Sequence, residues 1–241
     1  MKNTVTPEQR FEIGKLVADR LGKISADKDE VQCAIESGNH PFWSEVEKHF
    51  GQKSFEVMFA EQLASWAVLY NELGVEFDST KVKMPVHREG FDRLIVIPKG
   101  MTAQKAFKLC LARFAGKCWK YTDASLDEAV PTNDRTAKDG SYAIWIRDCQ
   151  EADEELRSKS ANDLSEEGIK GITLCERLLF EIKYHAETGK HLDIKNWTLC
   201  SGSRYSDGRV PLVDWDCDKL FVYWCIVSRR NPDLRSRAVS L

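Results

Sequence analysis

The stretch Trp197-Thr-Leu-Cys-Ser-Gly-Ser-Arg-Tyr-Ser-Asp-Gly-Arg-Val-Pro-Leu-Val-Asp-Trp215 decides how the chain is read. It places a cysteine, hydroxyl side chains, two arginines and two aspartates around two glycines, between apolar flanks. One reading is a binding or catalytic loop. The other is a connection between β-strands, with Asp207-Gly208 as the turn dipeptide, because such turns need positive backbone angles. The apolar runs on either side, "NWTLC" and "RVPLVDW", with "KLFVYWCIV" after them, are strand-like. The stretch is therefore read as a β-connection in a sheet-forming C-terminal region. An anion site on it is a further option, with Arg204 and Arg209 as the neutralising charges. No G-K-[ST] ending and no following helix support a phosphate-cradling loop there.

Just before that stretch, "GITLCERLLFEIKYHAETG" has apolar residues at helical spacing and Gly189 as a stop, which predicts a helix. Together with the stretch above it resembles a group of small bacterial proteins of unassigned function that carry GITLxERLL and LCxGSRxSDG segments. The resemblance runs from about Ser141 onward. It implies a bacterial or phage-related cytoplasmic protein and brings no fold, reaction or site residue with it.

Upstream, residues 7–73 read as four helices with short connections. The last, "SFEVMFAEQLASWAVLYNELG", has a wide apolar face running from Phe55 to Leu73. Between the helical parts, "FDRLIVIPKG", "KCWKY" and "SYAIWIRD" are strand candidates, and "TAQKAFKLCLARFAG" is a helix capped by Thr102. Residues 122–140 read as a long polar loop. "CQEADEELRSKSANDLSEEG" reads as helical at its start. The expected fold is α+β: an N-terminal helical subdomain followed by a mixed region ending in an antiparallel sheet. The expected domains are an acidic helical part, 1–80, and an α+β part, 81–241. "FVYWCIV", 221–227, is expected to be a central strand covered on both faces.

The chain has 241 residues and a net charge of −3. That charge is segregated. Residues 1–80 carry 8 Lys/Arg against 14 Asp/Glu, whereas residues 81–120 carry 10 against 2. Such a basic block is the electrostatic footprint of a polyanion site, or else a set of solvated or internally paired side chains. The nucleic-acid candidates are Lys99, Lys105, Lys108, Arg113, Lys117, Trp119 and Lys120, with Arg204 and Arg209. "GKCWKY" adds ring stacking to charge if Trp119 and Tyr121 face outward. Lys99 and Gly100 also stand at a helix start, where free N–H groups favour anions.

The eight cysteines include no C-x-x-C pair and sit largely in apolar patterns, so they read as reduced core residues, not disulfides or zinc ligands. A thiol nucleophile needs a base and a group to orient it; Cys200, His191 and Asp193 are the candidates for such a set. Cys149 is a weaker one. Histidine spacing fits no two-imidazole helix face, so no metal and no cofactor are expected. No apolar run approaches the roughly 20 residues that span a bilayer, and no signal peptide is seen, which predicts a cytoplasmic protein without membrane contact. The function expected is a non-enzymatic binding or accessory protein, contacting nucleic acid through the basic block and the C-terminal arginines. The alternatives are a protein-interaction module and a cysteine-dependent hydrolase around Cys200 and His191.

Overall fold

The computed structural model describes residues 55–241, and the expected helices between 7 and 54 lie outside the described residues. The chain divides into two compact units, Met1–Ser54 and Phe55–Leu241. The second unit begins with helix α1 (Phe55–Glu72). Strand β1 (Arg93–Ile97), helix α2 (Ala103–Arg113) and strand β2 (Cys118–Lys120) follow. A short helix α3 (Leu126–Ala129), a two-residue β3 (Thr132–Asn133) and β4 (Tyr142–Ile146) come next. Helices α4 (Ala161–Glu166) and α5 (Leu174–Thr188) precede β5 (Trp197–Leu199), β6 (Ser203–Arg204), β7 (Val210–Asp216), β8 (Lys219–Cys225) and β9 (Leu234–Ser236).

The fold is α+β. Its main sheet has the order β2-β8-β7-β5-β9, beside two smaller pairs, β1-β4 and β3-β6. The centre, β8-β7-β5, is antiparallel as expected, but both edges are parallel: β2 pairs with β8 and β9 with β5. The sheet is thus mixed. Parallel partners cannot be joined by a hairpin, so edge strands drawn from distant parts of the chain leave no local signal. The "long loop" at 122–140 contains α3 and β3. The acidic stretch after Cys149 is helical at its end, in α4, because Ser160 caps it with a reciprocal Asp163 contact; its start holds only a single turn, Glu154–Leu156.

Helix α5 is the central post. Thr173 and Glu176 form a capping box at its start, and Gly189, at φ 69°, closes it in the left-handed conformation glycine tolerates. It packs on α1, α2, β1 and β7. Helix α1 lies on β1, with the Trp66 indole donating to the Leu94 carbonyl at 2.9 Å.

Pairing register fixes which side chains share a face, since successive residues alternate. Val213 and Trp215 point towards the helices, where Trp215 meets Phe114 at 5.4 Å between rings. Leu212, Asp214 and Asp216 point the other way, and their register partners place Tyr223, Phe221, Trp197 and Trp119 with them. That second face is only partly covered. Phe221 and Tyr223 are half-buried while Leu220 and Val222 are fully buried, so the apolar run at 221–227 is covered on one side, not two.

Candidate functional site: an open aromatic face of the main sheet

The residues that made the opening stretch look chemical are used to build the fold. Gly202 donates its N–H to the Ile172 carbonyl at 3.1 Å, and the Ser203 hydroxyl accepts from Leu174 N at 2.9 Å while donating to Asn133. Ser201 and Ser236 hydroxyls lie 3.1 Å apart, and the latter donates to the Leu199 carbonyl. Asp207-Gly208 does form the turn, with Gly208 at φ 86° and its N–H on the Tyr205 carbonyl. Arg204 folds back onto the carbonyls of Ser201 and Ser203, at 2.7 and 2.8 Å. Arg209 pairs with Asp207 and lies 3.5 Å over the Trp224 ring. Both arginines are therefore engaged within their own neighbourhood.

The proposed thiol set is dispersed among other partners. Cys200 is fully buried, and burial pushes its thiol well above the ordinary range, opposite to what a nucleophile needs. The Nδ1 of His191 lies 2.9 Å from Glu181, and its ring stacks on Trp215 at 3.2 Å. Asp193 is held by Arg177 at 2.9 Å, by Arg237 at 2.7 Å and by the Thr198 hydroxyl. Arg177 also donates to Glu181 at 2.8 Å; its other terminal nitrogen reaches Asp193 at 2.8 Å as an ionic contact without hydrogen-bond geometry. Arg177, Glu181, Asp193 and Arg237 are all buried, which a charge tolerates only when paired. Cys149 sits half-buried beneath Arg237, which donates to its carbonyl at 2.9 Å; burial raises its thiol as well.

The basic block is similarly divided. Lys105 donates to the Gly100 carbonyl at 2.7 Å, Lys120 to the carbonyls of Thr122 and Ala124, and Lys117 pairs with Asp218. Arg93 is tied to Asp148 and Glu187. Lys99, Lys108 and Arg113 are exposed, and none forms an ion pair among the described residues. Trp119 and Tyr121 do face outward, 42% and 54% exposed.

What the structure brings together is different. Trp119 lies 5.8 Å from Phe221 and 5.5 Å from Tyr223, ring to ring, and Phe221 stacks on Tyr223 at 5.2 Å. This ladder runs into a groove of about 510 Å³ walled by Trp197, Leu212, Tyr223, Ile226 and Leu234, with Asp214, Asp216 and Arg229 as its charged groups. Asp214 is 5% exposed, and its Oδ1 has no hydrogen-bond partner. Burial, outweighing the pull of Arg177 and aided by Asp216 and Asp193, pushes its carboxyl up to about 7. A buried acceptor without a donor is costly to keep, and such groups concentrate where a ligand supplies what is missing.

Asp214 escaped the sequence reading, although a signal existed: "VPLVDWD" interrupts an apolar strand with an acid at a position of the alternation that Leu212 marks as packed. Among the described residues no group of three His, Cys, Asp or Glu side chains is placed to hold a metal. Among them, too, no helix is long and apolar enough to cross a membrane. No protein-family model matches the chain, nor does any curated protein or solved structure.

Proposed function

We propose that this is a non-enzymatic binding protein that receives a protein partner on the open face of its main sheet. The observation that carries the reading is the aromatic-walled groove of about 510 Å³ with the nearly buried Asp214 carboxyl in its lining. Exposed clustered aromatics around a concave apolar site are how interfaces place their binding energy. The exposed Trp119 and Tyr121 extend this surface along the β2 edge.

The same two rings favour a second reading, stacking of unpaired nucleobases. Ion pairs on Lys117 and Arg209, and backbone carbonyls that hold the ends of Lys105, Lys120 and Arg204, leave that reading with fewer side chains free to reach phosphates than the sequence promised. Capture of partners on wild-type protein and on Tyr223→Ala, with nuclease treatment and high salt, separates the two. A partner that survives both treatments and is lost with Tyr223→Ala supports the protein-binding reading. A partner lost on nuclease treatment replaces it with the nucleic-acid reading, and capture indifferent to Tyr223→Ala overturns both.

A further inference from the structure

We infer that the groove beside Asp214 is a pocket for an ammonium group carrying at least one N–H, delivered by a lysine side chain of the partner. The inference rests on the reading of the sheet face as a partner-binding surface and says what that surface recognises.

Charge complementarity gives the sign of the occupant. Asp214 and Asp216 stand two residues apart on β7 and share the face, so two carboxyls belong to one groove. Neither makes an ion pair among the described residues. Arg177, the cation that acts on Asp214 from the helix side of the sheet, is already committed to Glu181 and Asp193. Asp214 is therefore a nearly buried carboxyl with one oxygen that meets no donor, set in the wall of the groove, where an added cation gains more than in open water. A phosphate would meet two like charges there and is disfavoured.

Shape and donor number select among cations. The walls formed by Trp197, Leu212, Tyr223 and Leu234 suit a methylene stem and the face of a cationic head against aromatic rings. A guanidinium brings five donors in a fixed fork that pairs best with both oxygens of a carboxylate, and Asp214 has one of its two oxygens sealed from the groove. A lysine ammonium needs one good acceptor inside and can turn its remaining N–H groups to solvent. Arg229, exposed at the rim, is the opposing charge, and it weakens whatever cation binds.

The test is a tryptophan-fluorescence titration of the full chain with Nα-acetyl-lysine methylamide, its Nε-acetylated form and Nα-acetyl-arginine methylamide. The lysine derivative is expected to bind on the order of millimolar, as suits a single side chain. The Nε-acetylated form, which lacks the charge, should bind at least about tenfold more weakly, as expected from losing a charged hydrogen bond. Asp214→Asn, of the same shape, should weaken lysine binding by a similar factor, and Arg229→Ala should tighten it. Equal binding of the neutral and charged forms, arginine binding more tightly than lysine, or no effect of Asp214→Asn in a folded variant each overturns the inference. The partner-binding reading survives those results and falls if partner capture is indifferent to Tyr223→Ala or is lost on nuclease treatment.

Discussion

Gly171 and Gly202 meet where two segments cross, and neither can carry a side chain. A Cβ on Gly202 would stand 2.7 Å from the Gly171 carbonyl oxygen, and one on Gly171 would stand 1.7 Å from the Ser201 hydroxyl. Backbone cannot give way as a flexible side-chain end can, so Gly202→Ala is expected to destabilise by about 1–3 kcal/mol. A fall in denaturant midpoint without loss of slope checks this. Asp214 makes the opposite prediction, and the sign follows from its pKa. In the unfolded chain the carboxyl titrates near 3.8, and in the folded protein near 7. Between those values the folded protein holds a proton that the unfolded chain has released, so the group's contribution becomes less favourable as pH rises to about 7. Asp214→Asn should therefore be more stable than wild type at pH 8 than at pH 4, by a few kcal/mol at most, at about 1.4 kcal/mol per unit. Parallel melting curves of the two proteins at both pH values would contradict it.

At the scale of elements, α5 and the strands after it were legible because their signals are local. Thr173, Glu176 and Gly189 bracket α5 in the sequence as they do in the structure. The partners of its buried face were not legible, since Arg177 finds Asp193, and Arg237 joins them, only after the chain has folded. An arginine inside an apolar helix face reads as surface until its counter-ions are known. Arg177→Met leaves Asp193 to Arg237 and Glu181 to His191 alone, a buried cluster short of one positive charge, and should cost about 3–5 kcal/mol, seen as a lowered melting temperature. Strand β8 shows the same limit: seven apolar residues in a row predict two covered faces, and register shows one. Val222→Asp should abolish folding, whereas Tyr223→Ser should leave a soluble, cooperatively melting protein, because Val222 is fully buried and Tyr223 is not. Aggregation of Tyr223→Ser would mean that this face is covered after all.

For the molecule as a whole, the expected domain boundary at residue 80 falls inside the second compact unit, which begins at Phe55. Composition changes near 80, but packing does not, because Trp66, Leu69 and Tyr70 of α1 are buried with β1. A chain beginning at Phe55 should fold cooperatively, and one beginning at Lys81 should lose that cooperativity. The candidate site was legible only in part for a related reason. Trp119 and Tyr121 could be named from "KCWKY", but the groove combines β5, β7, β8 and β9, whose order in the sheet no local pattern reveals. The most direct test of the groove as a ligand site is the pH titration of the Asp214 side-chain carboxyl by carbon-13 NMR, without and with Nα-acetyl-lysine methylamide. A midpoint near 7 is expected in the free protein, moved clearly lower by the ligand. A midpoint near 4 that the ligand leaves unchanged would mean a solvated, satisfied carboxylate and no cation pocket.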